Sequence, residues 1–185
     1  MKKVIMIILA AVVASGISFA QDKGTMYAGG GFSGSFHKNN GFQQVHMNIA
    51  PEFGMFVSDD LSIGAFINSG MGKTKYEGWG NASYSTKTVG LGVRGRYYLR
   101  ISDNFYYTPT ASLTLTPMYT VAGHDDATTY GLDLDIAQFE YRPDYNFGCY
   151  INVLGFYALV SSNKNVTSSS SGLAVSPSVG VRFYF

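Results

Sequence analysis

The sequence predicts an all-β fold, an eight-stranded antiparallel up-and-down β-barrel that spans a membrane. Three observations predict it. The first is a two-residue alternation, unbroken over residues 172–185: Leu173, Val175, Pro177, Val179, Val181, Phe183 and Phe185 form an apolar row, and Ala174, Ser176, Ser178, Gly180, Arg182 and Tyr184 a small or polar one. The second is that short and long connections between such stretches alternate along the chain. The third is where the charges fall, since the polar rows carry Gly, Ser, Thr, Tyr and Arg, whereas Lys23, Lys38, Lys73, Lys75, Lys87 and Lys164 lie in loops or at strand ends.

The chain opens with Lys2 and Lys3, an apolar run over residues 4–17, and Ser18-Phe19-Ala20 before the polar Gln21-Asp22-Lys23. That is the order of a secretory signal peptide, and the run is short for a membrane span. Residues 1–20 are therefore expected to be removed, leaving the barrel as residues 21–185. Loss of Lys2 and Lys3 takes the net charge from +1 to −1, which leaves no electrostatic case for nucleic acid. A single cysteine, Cys149, cannot form an internal disulfide and reads as a packing residue in an apolar stretch.

In chain order the strands are expected at about residues 26–36, 46–57, 61–71, 87–99, 105–119, 132–142, 147–160 and 172–185. Residues 58–60, 100–104 and 143–146 read as tight turns, and residues 37–45, 72–86, 120–131 and 161–171, rich in Asn, Ser, Gly or Thr, as long loops. In the second strand Met47, Ile49, Phe53 and Met55 alternate with Asn48, Ala50, Glu52 and Gly54; in the fourth Val89, Leu91 and Val93 alternate with Gly90, Gly92, Arg94 and Arg96; in the fifth Ala111, Leu113 and Leu115 alternate with Ser112 and Thr114. The sixth breaks frame, with Leu132 and Leu134 apolar at even positions and Phe139 and Tyr141 at odd ones, which predicts a one-residue bulge between Leu134 and Phe139. The seventh is apolar on both faces and its orientation stays open. Pro51, Pro109, Pro117 and Pro177 fall inside strands of a barrel that has no free edge, and the matching frames around Pro51 and Pro177 suggest a repeated local bend at bulges.

A soluble barrel would also alternate, but it would carry Lys and Glu on its outer face. Here the apolar rows read as lipid-facing and the polar rows as lumen fillers. Two aromatic girdles are expected, one near the short turns (Phe56, Tyr97, Phe105, Tyr107, Tyr141, Phe147, Phe183, Phe185) and one toward the long loops (Phe36, Tyr76, Trp79, Tyr119, Tyr157). Glu52, Arg94, Arg96, Gln138, Glu140, Arg142 and Arg182 fall on the inward face of the turn-side half. Buried charges must pair or meet water, so they form either a salt-bridged plug or a narrow arginine-lined channel for ions or small solutes.

The frame shared by Pro51 and Pro177, the passage over residues 53–64 across the first tight turn, and the Phe-Tyr-Phe ending resemble the small outer-membrane β-barrel domain family of Gram-negative bacteria, similar in fold to the OmpA transmembrane barrel. The likeness spans residues 21–185. It implies a bacterial outer-membrane location with both termini periplasmic and the long loops extracellular, in contact with outer-membrane lipid and lipopolysaccharide. It also implies that Phe183 and Phe185 belong to the terminal strand read by the barrel-assembly machinery. The family has no shared catalytic residues to carry over, and Arg142-Pro143-Asp144-Tyr145-Asn146 departs from its usual third turn.

Other chemistry is sparse. Gly90-Leu-Gly-Val-Arg-Gly95 fits a dinucleotide fingerprint in letters, yet a strand runs through it where a helix is required. His124, Asp125 and Asp126, with Asp133 and Asp135, offer cation ligands but read as solvated loop charge, so no metal and no cofactor is expected. A lipid-modifying enzyme would need His37, His46 or His124 beside a serine and a carboxylate, and no motif marks one; no catalytic residue is expected. The chain therefore reads as non-enzymatic, structural or surface-interacting, with Tyr76, Trp79 and Tyr84 in the second long loop as the binding candidates toward a surface partner.

Overall fold

The computed structural model describes residues 23–39, 42–76, 83–120, 128–162 and 167–185. Eleven strand segments succeed one another: β1 (Met26–Asn39), β2 (Phe42–Ser58), β3 (Leu61–Tyr76), β4 (Ser83–Tyr97), β5 (Leu99–Ser102), β6 (Phe105–Tyr107), β7 (Thr110–Thr120), β8 (Thr128–Asp135), β9 (Gln138–Asp144), β10 (Phe147–Ser162) and β11 (Thr167–Tyr184). Three brief interruptions, at Tyr98, at Thr108 with Pro109, and at Ile136 with Ala137, join β4 to β5, β6 to β7 and β8 to β9, so that eight barrel strands result. Each pairs antiparallel with its chain neighbours, and β11 closes onto β1 from Tyr27 opposite Tyr184 to Ser33 opposite Ser178. The fold is thus an eight-stranded up-and-down barrel, with only the short β5 at the turn rim paired on one side, to β6.

The outward faces are apolar and exposed on strand after strand, as at Ile49, Ile67, Leu91, Leu113, Ile151 and Val179, and Val175 reaches 77% exposure. Inside are Glu52, Arg96, Gln138, Glu140 and Arg182, each at most 5% exposed. A polar interior within an apolar skin is stable only where the outside solvent is hydrocarbon, because in water each exposed apolar row would favour burial. On β1 the frame is reversed, with Met26, Phe32 and Phe36 outward and Tyr27 inward. Phe56, assigned above to the turn-side girdle, is fully buried instead: it shares the face of Glu52 and Gly54, and the two-residue period carries it inside.

The predicted bulge lies between β8 and β9, where the Ile136 and Ala137 amides both donate to the Leu154 carbonyl, at 3.0 and 3.1 Å. The extra residue lets Asp135 and Gln138 both point inward. β10 changes frame at the same level: Cys149 and Ile151 face outward below it, and Tyr157 and Leu159 line the lumen above. Cys149 accordingly faces outward, exposed, and not into the interior.

The prolines sort by what the ladder can spare. Val153 is opposed by Ser176 and Pro177, Gly90 by Thr116 and Pro117, and Gly148 by Arg142 and Pro143, so three prolines occupy two-against-one bulges where a donor is already surplus. Pro109 sits in the break between β6 and β7. Pro51 differs from Pro177 despite the matching frame, since β2 and β3 skip pairs between Ile49 and Glu52 without a change of register.

The stretches expected as long loops are largely strand. Lys38 pairs with Gln43, Lys75 with Ser83 and Ser162 with Thr167, giving β1, β2, β3, β10 and β11 lengths of 14, 17, 16, 16 and 18 residues. A bilayer needs only about 9–11 tilted residues. The remainder stands above it, where both faces meet water and the alternation that betrays a strand fades.

Close approach fixes one glycine in particular. Tyr27 lies flat over the backbones of β2 and β3, and a methyl placed on Gly54 would come within 2.6 Å of the Ile63 carbonyl and overlap the Tyr27 ring. Gly54→Ala is expected to cost about 1–3 kcal/mol as an overpacked interior, read as a lower urea midpoint for the barrel folded in vesicles.

Candidate functional site

The interior is layered from the turn rim upward. Lowest is an aromatic cup of Tyr27, Phe56, Tyr98, Tyr106 and Tyr184, none more than 7% exposed. Phe56 and Tyr98 approach to 4.9 Å between ring centres. The Arg142 guanidinium sits among them, 4.1 Å from the Tyr184 ring centre, 4.7 Å from Tyr106 and 4.8 Å from Tyr98, so the cup holds a cation against electron-rich faces.

Above it lies the ion network. Glu52, from β2, accepts from Arg94 at 2.7 Å and Arg96 at 3.1 Å on one oxygen, and from Arg182 at 2.5 Å on the other. Arg182 also pairs with Glu140, which accepts from Arg142 at 2.7 Å and from the Tyr184 hydroxyl. Arg96 donates through Nε to Thr110 and Gln138, both at 3.2 Å. Rings complete the packing, with Arg94 3.8 Å over Phe66 and Arg182 3.8 Å over Tyr150. Four guanidinium groups thus bracket two carboxylates, drawn from β2, β4, β9 and β11, and the network ties both halves of the barrel together across its bore.

Room for Tyr150 comes from β1 and β11, whose Gly31 and Gly180 leave the ring lying against bare backbone. The interior cluster read from the sequence, Glu52, Arg94, Arg96, Gln138, Glu140, Arg142 and Arg182, is therefore one connected set. Its aromatic members are not singled out in the sequence, although the polar rows read as lumen fillers already hold Tyr184. Tyr98, Tyr106 and Tyr184 share the even frame of the charges and were legible from it; Tyr27 was not, because Gly29, Gly30 and Gly31 give β1 no apolar or polar period.

Over the network opens a cavity of about 800 Å³ toward the long-loop rim, floored by Arg94 and lined by Ser33, Ser35, His46, Asn48, Asn68, Asp133, Asp135, Asn152 and Tyr157 among others. Asp135 accepts from Asn152 at 2.6 Å. Asp133 and Asp135, read from the sequence as solvated loop charge beside His124, Asp125 and Asp126, are inward-facing in this cavity, because β8 is in the frame that points its odd positions to the lumen.

Of the other residues singled out in the sequence, Phe183 faces outward, its ring centre 5.3 Å from that of Phe147, and Phe185 exchanges backbone hydrogen bonds with Met26, both at 2.9 Å. Trp79, His124, Asp125 and Asp126 lie outside the described residues, as do the side chains of Tyr76, Tyr84, Tyr119 and His37. No helix among the described residues is long and apolar enough to cross a membrane.

No protein-family model matches the chain, and no curated protein matches it. Solved structures do. Neisserial surface protein A aligns over 87% of this chain and 97% of its own with a TM-score of 0.52 at 16% identity. The outer membrane protein OprG from Pseudomonas aeruginosa aligns over 92% and 99%, with a TM-score of 0.53 at 11% identity. At such identities the likeness speaks for the fold, and with the apolar skin and charged interior it makes this chain a small closed barrel of the outer-membrane kind.

Proposed function

We propose that the protein is a non-conducting barrel of the bacterial outer membrane, made by removal of residues 1–20 and folded with the barrel-assembly machinery, its long-loop rim outside the cell and both termini in the periplasm. Its role is structural, or it presents the loops at that rim to a surface partner. One observation carries the closed reading: Arg96, Arg182 and Glu140 are fully buried and, with Glu52, cross-link the bore above an aromatic cup. An eight-stranded interior is just wide enough for side chains to fill, and this one is filled over its turn-side half.

A narrow channel is the second reading, favoured by the cavity above Arg94, which reaches halfway along the bore. The lipid-modifying enzyme has less behind it: His46 faces the same cavity as Ser33 and Ser35, and no hydrogen bond joins it to a serine or a carboxylate among the described residues. Planar-bilayer recording of residues 21–185 refolded in lipid decides between the first two. Folding is confirmed by the gel-mobility shift on boiling. Silence from the folded barrel is the expected result. Discrete charge-selective steps that change on Arg94→Ala would overturn it and make the arginines a conducting filter.

A further inference from the structure

Exposed charge on the described outer surface differs between the rims: the turn rim carries acidic residues together with Lys23 and Arg100, and the long-loop rim carries lysines. Asp59, Asp60, Asp103 and Asp144, the exposed acidic residues, all lie at the turn rim. Lys38 on β1, Lys73 and Lys75 on β3 and Lys87 on β4 lie toward the long-loop rim, all exposed and on the outward frame of their strands. The ion pairs among the described residues are made by arginine, so these ammonium groups have no described carboxylate partner.

The register brings them to one level. Following hydrogen-bonded partners round the barrel, Ala28 near the turn rim leads through Phe53, Ala65, Val93, Leu113, Leu132 and Ala158 to Ser171 near the loop rim, so a row climbs as it passes from β1 toward β11. With strands about 4.8 Å apart and tilted about 40°, each step to the next strand gains roughly 3 Å of height and each residue along a strand roughly 2.5 Å. Lys38 shares its row with Lys75 through Gln43, two strands on; Lys73 lies two residues below Lys75, and Lys87 pairs with Met71, four residues below. The gains and losses offset, leaving Lys38, Lys73 and Lys87 within about 2 Å of one height across neighbouring strands. Below them the same wall is apolar, with Phe36 68% and Met71 64% exposed.

A row of ammonium groups above an apolar wall matches one occupant in a membrane: a lipid whose phosphates lie at the lysines and whose acyl chains lie on Phe36, Met71 and Val89. We propose that Lys38, Lys73 and Lys87 form a binding site for the phosphorylated head group of a glycolipid of the lipid A class in the outer leaflet. The proposal rests on the outer-membrane reading and names the lipid contact within it. Cations near a membrane surface each contribute to attraction for anionic lipid, and three held at one depth by a rigid sheet act on a single head group.

The test uses residues 21–185 folded in phosphatidylcholine vesicles containing lipid A, either bisphosphorylated or dephosphorylated, with a chelator present to remove bridging cations. Lipid retained per barrel is read by native mass spectrometry. Wild type is expected to retain the bisphosphorylated form preferentially, Lys73→Gln to lower that preference roughly fivefold, and the triple glutamine variant at Lys38, Lys73 and Lys87 to abolish it. The triple arginine variant is expected to keep it. Equal retention of the two lipids by wild type, or an undiminished preference in the folded triple glutamine variant, would overturn the site. A gel-mobility shift confirms the barrel in every case, so failure of the membrane reading would show there and not in the lipid ratio.

Discussion

Glu52→Ala is expected to cost about 3–5 kcal/mol of stability in vesicles, the range for removing one partner of a buried ion pair. The reason is arithmetic of charge as much as lost contact. Glu52 receives three guanidinium groups, from Arg94, Arg96 and Arg182, and of these Arg96 and Arg182 are wholly buried. Without it, Arg182 keeps Glu140, but Arg96 keeps only neutral acceptors, Thr110, Gln138 and the hydroxyls of Tyr27 and Tyr98 at 3.4 Å. An unpaired cation in that position must draw in water or unpack the aromatic cup beneath it. Glu52→Gln, which keeps an acceptor oxygen and loses the charge, should fall between wild type and alanine. Arg100→Ala breaks the pair with Asp103 at the turn rim, where the side chains are 59% and 96% exposed, and should change stability by well under 1 kcal/mol. Urea midpoints followed by gel mobility separate the two cases. A Glu52→Ala loss as small as that of Arg100→Ala would show that the bore is wet and the network solvated.

This network could be read from the sequence because parity is enough to place a side chain in a barrel. Once Leu91 and Val93 are assigned to lipid, Arg94 and Arg96 have nowhere to point but inward, and the same holds for Arg182 between Val181 and Phe183. What parity could not supply was the pairing. That Glu52 should meet Arg182, 130 residues away, depends on closure of β11 onto β1 and on the register at each step round the wall. Parity also misled where it was not followed through: Phe56 was placed by its residue type among the girdle aromatics although its frame puts it beside Glu52. The loop-side strand ends were lost for a different reason. Lys73 to Tyr76 and Ser83 to Lys87 leave the hydrocarbon while still paired, and a strand bathed in water on one face and facing a polar cavity on the other has no apolar period to read. The prolines needed the partner strand, since a bulge is a count of two residues against one and cannot be seen in a single stretch.

Leu113→Arg is expected to destabilise the barrel by about 2–4 kcal/mol, whereas Ser85→Arg near the loop rim should cost about 0–1 kcal/mol. Both positions face outward and are exposed, Leu113 at 58%. They differ in depth: Leu113 pairs with Val93 and Leu132 in the middle of the apolar wall, while Ser85 pairs with Lys73 at the level where the wall turns polar. In water the two substitutions would be alike, since an arginine on an exposed sheet face is solvated wherever it sits. In a bilayer the charge at Leu113 must be dragged through hydrocarbon or reach for a head group, and the charge at Ser85 is already among them. The difference between the two urea midpoints in vesicles therefore measures the solvent outside the wall. Equal, small losses would return the apolar rows to an aqueous surface and remove the physical ground for a transmembrane barrel; a gap of 2 kcal/mol or more fixes both the membrane and the level at which it ends.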